Sequence, residues 1–105
     1  MRDEDEGIIS TVTVAEVLTG VYKSEDSAKP ANVKKLLNDL TLNSFKITPV
    51  TFEIADLAAC MRAKRGGSLP DALIVATALS QKADCLYSED KDLQRFKEDI
   101  KIAKL

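Results

Sequence analysis

SLPDALIVATALSQKADCLYSEDKDLQRF, Ser68 to Phe96, is the stretch whose reading decides the fold. It reads as a helix, a turn, a strand, and then an acidic loop entering a short helix. Ser68 can cap the helix, and Pro70 suits its first position, where the missing N–H is an orphan anyway. Asp71 then falls in the first turn, where the helix dipole favours negative charge. Ala72, Leu73, Ile74, Val75, Ala76, Ala78 and Leu79 are apolar on nearly every side, which predicts a deeply buried helix. Cys85, Leu86 and Tyr87 form the short apolar run of a strand inside a parallel sheet. Ser88, Glu89, Asp90 and Asp92 follow at its carboxyl end, the place where open α/β sheets bind ligands.

Upstream, Thr51 can cap a helix with Ile54, Leu57, Ala58 and Met61 on one face, and Gly66 and Gly67 stop it. Arg62, Lys64 and Arg65 gather in its last turn, either as partners of the helix dipole or as a phosphate-positioning patch. Before it, Phe45, Ile47 and Val50 mark a short extended segment with Pro49 at its end. Val33, Leu36, Leu37 and Leu40 recur at helical spacing, and residues 23–30 read as a polar linker. Ile8 and Ile9 read as a buried strand. Thr13-Val-Ala-Glu16 fits a capping box opening a helix through Val17, Leu18 and Val21, which gives Glu16 a structural job. The charged run at residues 1–6 reads as a solvated terminus. Downstream, Ile100, Ile102 and Leu105 alternate with lysines as a final edge strand. The alternation of strand and helix favours a parallel sheet covered by helices.

A chain of 105 residues is read as one domain, 1–105. Apolar content of 45% argues against disorder, and a net charge of −2 gives no global attraction to nucleic acid. RNA binding would then need a local basic patch or bound metal ions. No apolar run approaches the roughly 18 residues of a membrane helix, and the start is no signal peptide. Cys60 and Cys85 stand far apart in apolar contexts and read as buried thiols in a reducing cytoplasm. The absence of histidine removes a His-based nucleophile–base pair and leaves zinc few ligands. Hydrolysis by such a chain would rest on carboxylates and a hard, oxygen-preferring metal.

Three segments, LPDALIVATAL, LYSEDKDL and IISTVTVAEVLTG, together resemble the PIN domain, and within it the VapC-like toxin ribonucleases. The resemblance covers nearly the whole chain. It implies an α/β, three-layer fold with a parallel sheet flanked by helices. The family's opening strand, carrying Asp-Thr/Ser-Asn/Ser upstream of the glutamate, has no counterpart here, so the fold is expected to be N-terminally incomplete. The place of that central strand is expected to be taken by a separate segment, by another chain, or by direct pairing of its two neighbours.

The resemblance further implies a metal-dependent endoribonuclease, the toxin of a toxin–antitoxin pair, with Mg²⁺ (or Mn²⁺) held by Glu16, Asp71 and Asp90. Asp92 is a further metal ligand and Ser88 a supporting hydroxyl; Arg62, Lys64 and Arg65 are candidates for RNA phosphate contacts. An antitoxin bound in a groove of the early helices, a homodimer and a cytoplasmic location complete the implied picture. Residue chemistry supports part of it, since acids at helix starts and strand ends meet along one edge of a parallel sheet. Their mutual repulsion is offset by a divalent cation. Structural roles stay open beside these: a cap or Asx turn for Asp90, a dipole-stabilised first-turn acid for Asp71. The alternative function is a catalytically silent PIN-like interaction module. A receiver-like phospho-acceptor ranks last.

Overall fold

The computed structural model describes residues 6–104, which fall into two units, Met1–Pro49 and Val50–Leu105. The first contains β1 (Gly7–Ser10), α1 (Thr11–Tyr22), α2 (Lys29–Thr41) and β2 (Phe45–Thr48). The second contains α3 (Phe52–Arg65), α4 (Leu69–Ser80), β3 (Cys85–Tyr87), a 3-10 turn (Lys91–Phe96) and β4 (Lys101–Ala103). Residues 1–5 of the charged start, and Leu105 at the end of the expected last strand, lie outside the described residues.

In the first unit β1 and β2 pair in parallel, with Ile8 opposite Lys46 and Ile9 opposite Ile47. Gly7 at the head of β1 leaves room for the Phe45 ring, which a Cβ there would meet. Ser10 ends the strand in an extended conformation and caps α1 directly, its Oγ accepting from Val12 N at 3.1 Å. The capping box expected at Thr13 is therefore corrected. Thr13 is already the third helical residue, and Glu16 stands a further turn in, exposed, with no cap to fold back on. The strand delivers a hydroxyl to the helix start two residues before Thr13 could act.

The second unit has the larger core. Ile54, Ala58 and Met61 of α3 pack with Ala72, Val75, Ala76 and Ala78 of α4, closed by Leu93, Phe96 and Ile100. Ala58, Ala72, Val75 and Ala76 are fully buried, and small side chains on both helices let their axes approach closely. Thr51 caps α3, its Oγ1 accepting from Ile54 N at 3.2 Å. Gly66 and Gly67 turn the chain with φ of 76° and 89°, a left-handed region open to glycine. Pro70 proves to be the second residue of α4, Leu69 the first. Cys85 is half-buried, whereas Cys60 is exposed rather than buried, since the face of α3 set by Ile54, Ala58 and Met61 turns it outward.

β3 and β4 are also parallel, Cys85 opposite Lys101 and Leu86 opposite Ile102. Both ladders thus have the expected parallel sense, but they form two separate two-stranded sheets. Direct pairing of β1 with β3 is not found among the described residues. No helix among the described residues is long and apolar enough to cross a membrane.

Candidate metal centre

Asp71 is the third residue of α4. Ser68, extended at the N-cap, accepts from the Asp71 N–H through Oγ at 3.2 Å, which fixes the first turn and the direction of its acid. Asp90 and Asp92 come from the loop after β3. Ser88 N donates to Ala103 O at 2.9 Å, prolonging the β3–β4 ladder by one bond. Its hydroxyl then accepts from Asp90 N at 3.0 Å. Asp90 in turn caps the 3-10 turn, Oδ1 accepting from Asp92 N at 2.9 Å. The same turn buries Leu93 and Phe96, anchoring the loop in the core. Each acid's own backbone N–H is thus held by a side-chain oxygen two or three residues earlier.

The result is a group in which carboxylate oxygens of Asp71, Asp90 and Asp92 all lie within 4.8 Å of one another. Asp71 is half-buried; Asp90 and Asp92 are exposed. Two like charges about 4 Å apart repel by about 1 kcal/mol in bulk water and by more where water is excluded. A cation relieves this. An octahedral Mg²⁺ with oxygens at about 2.1 Å separates opposite ligands by about 4.2 Å. Three ligands cannot all stand opposite one another, and adjacent ones are about 3.0 Å apart, so oxygens within 4.8 Å of one another would close by up to about 1.8 Å on a single ion, or hold it through a water. An all-oxygen donor set matches Mg²⁺ or Mn²⁺ and not the nitrogen and sulfur preference of zinc.

Glu16 stands exposed on α1, in the first unit. Two of the basic residues of α3, Arg62 and Arg65, have structural partners. Arg62 Nε donates to Gly67 O at 3.1 Å. Arg65 forks onto Asp99, Nε to Oδ2 at 3.1 Å and Nη2 to Oδ1 at 3.2 Å, with Nη1 3.4 Å from Glu98. The hydrogen bond to Asp99, and then its charge, hold the Arg65 pKa above the ordinary arginine value. Lys64 is exposed.

Arg95 is a residue that sequence reasoning missed. Its Nε donates to Asp92 O at 3.1 Å and its Nη1 to Arg65 O at 3.3 Å. An exposed arginine in a short turn has no periodic signature. The one available signal was the pair Gly66-Gly67, since adjacent glycines mark close approach of another group.

The sequence model of a family described as PIN domain matches residues 1–99. No curated protein matches the chain. Among solved structures, it is similar to a toxin-antitoxin complex from Klebsiella pneumoniae, with 28% identity, a TM-score of 0.62, and coverage of 81% of this chain and 64% of that one. It thus spans less than two thirds of the Klebsiella chain. It is similar to FitAcB from Neisseria gonorrhoeae, with 22% identity, TM-score 0.73, and coverage of 97% and 77%. VapBC-1 from nontypeable Haemophilus influenzae gives 22% identity, TM-score 0.74, and coverage of 99% and 78%.

Proposed function

The chain belongs to the PIN domain family, and from that premise we propose that residues 1–105 form one PIN-like domain acting as a divalent-metal-dependent ribonuclease, the toxin of a toxin–antitoxin pair. The observation that carries this reading is the convergence of Asp71, Asp90 and Asp92, with ligand oxygens within 4.8 Å. A bound Mg²⁺ (or Mn²⁺) supplies Lewis acidity toward a phosphodiester oxygen and makes a coordinated water more acidic.

The chain's own residues hold and orient. Asp71, Asp90 and Asp92 are the metal ligands, and the exposure of the last two leaves an open side on which a polymer can lie. Glu16 is the further carboxylate, on the strength of the segment IISTVTVAEVLTG. The Ser88 hydroxyl spends a lone pair on Asp90 N and retains its proton for donation to a water. Arg62 commits Nε to Gly67 O, so its terminal amino groups remain, with Lys64, for RNA phosphates. Arg65 is engaged on three nitrogens and is the weakest of these candidates.

The toxin-antitoxin neighbours support an antitoxin partner. Val17 and Tyr22 on α1 and Leu36 on α2 are exposed apolar residues that suit a partner helix. Homodimerisation and a cytoplasmic location belong to the same reading.

The test joins calorimetric titration with Mn²⁺ to cleavage of single-stranded RNA in Mg²⁺, using the wild-type chain and Asp71→Asn. The expected result is Mn²⁺ binding and EDTA-sensitive cleavage, with affinity down at least about tenfold in the variant. Metal binding without cleavage would leave the interaction module. No metal binding by the wild-type chain would overturn both the centre and the enzyme.

A further inference from the structure

The carboxylate group is assembled from two separate segments. Asp71 is reached from the end of α3 through Arg65, Gly66, Gly67 and the cap Ser68; Asp90 and Asp92 follow β3. The caps described above fix each acid within its own segment. They do not fix one segment against the other.

We propose that Arg95 is a positioning residue that does so beside the core packing of Leu93 and Phe96, holding the Asp90–Asp92 turn against the α3–α4 turn and thereby setting the spacing of the three acids. This rests on the metal-centre reading above. Arg95 Nε donates to Asp92 O on one side, and Nη1 to Arg65 O on the other. Arg65 ends α3, so its carbonyl is one of the helix-terminal oxygens without an intrahelical partner. A cation there also suits the negative end of the helix dipole. The guanidinium is planar with donors at fixed angles, so one side chain spans two carbonyls; an ammonium on a flexible stem is a point donor.

The turn beneath is shaped to receive it. A Cβ on Gly67 would stand 2.8 Å from Arg95 Cδ and 2.9 Å from Nε, and one on Gly66 would stand 3.3 Å from Nη1. Both glycines have positive φ as well. Their bare backbone is what lets the arginine stem lie flat across the junction. The bridge is made to main-chain carbonyls, so it constrains where the loop runs and not merely where one side chain points.

Arg95→Ala and Arg95→Lys test this by two measurements. The first is Mn²⁺ affinity by calorimetry, with the thermal midpoint of the metal-free protein recorded alongside. The second is amide hydrogen exchange in the metal-free protein. Both variants are expected to lower Mn²⁺ affinity about tenfold, the scale of groups that orient metal ligands. Exchange is expected to quicken at Asp71 N and Asp92 N while the amides of Val75–Ala78 in the middle of α4 stay protected. Arg95→Lys retains charge and stem, so it reads the same quantities if Arg95→Ala fails to fold. Unchanged affinity in either variant, or full recovery by lysine, overturns the positioning role. A wild-type chain that takes up no Mn²⁺ overturns the metal reading instead, and exchange at Asp71 and Asp92 then decides the bridge by itself.

Discussion

Asp90 carries two demands on one carboxylate. Oδ1 accepts from Asp92 N at 2.9 Å, and a carboxylate oxygen stands within 4.8 Å of ligand atoms on Asp71 and Asp92. Substitution can separate the two. Asp90→Asn keeps an amide oxygen for the cap and removes the charge, so metal-free stability should move by no more than a few tenths of a kcal/mol while Mn²⁺ affinity falls at least tenfold. Asp90→Ala removes both and should cost about 1 kcal/mol in urea unfolding besides. Equal stability losses in the two variants would mean that the cap is not what the oxygen does. A second residue-scale outcome concerns Tyr87, whose interaction with Cys85, two residues earlier on the same face of β3, raises its pKa above the ordinary 10.0. A raised pKa means that the folded state holds the phenolic proton more tightly. The associated stability is fully present below the ordinary phenol value and is lost as pH rises through the folded one. Alkaline absorbance titration should show Tyr87 ionising late in the wild-type chain, and Cys85→Ala should bring it back toward the ordinary value.

At the scale of elements, α4 serves the core and the acidic group with different ends. Its middle buries Val75 and Ala76 completely, while its first turn presents Asp71 through the Ser68 cap. Ser68→Ala should therefore cost about 1 kcal/mol and leave the helix in place, because core packing and not the cap supplies most of its stability. The 3-10 turn behaves differently. Phe96 is fully buried and is the largest side chain so placed among the described residues, and it anchors the segment that begins with Asp90. Phe96→Ala should cost about 3–5 kcal/mol and weaken Mn²⁺ binding together with stability. Denaturant midpoints measured with and without Mn²⁺ check both outcomes. A Phe96→Ala protein with intact affinity would show that the acidic loop holds its shape without the core.

At the scale of the whole chain, burial is unevenly shared between the two units. Ile54, Val75 and Phe96 belong to residues 50–105, whereas in residues 1–49 Val21 is buried together with the polar Ser10 and Thr48. Two-stranded sheets and lone helices of about 12 residues are marginal without a packed face. A fragment of residues 50–105 should accordingly keep helical circular dichroism and melt cooperatively, and a fragment of residues 1–49 should show neither. Cooperative melting of the shorter piece would show that its sheet and helices need no larger core.

Local signals made much of this legible in the sequence. Ser68 and Thr51 read as caps because a hydroxyl before an apolar helical run has one obvious donor to satisfy, and both do so. The burial of α4 and the three family segments were likewise readable along the chain, because periodicity and short motifs are encoded within a few residues. What the sequence left open was decided by contacts between distant segments. The 3-10 turn brings Asp92 beside Asp71; Arg65 finds Asp99, 34 residues away, and Arg95 reaches back to Arg65 O, 30 residues away. The division of the four described strands into two ladders, each parallel, is of the same kind. Strand partners and ion pairs are chosen by the summed packing of the folded chain, and no stretch of a few residues carries that sum.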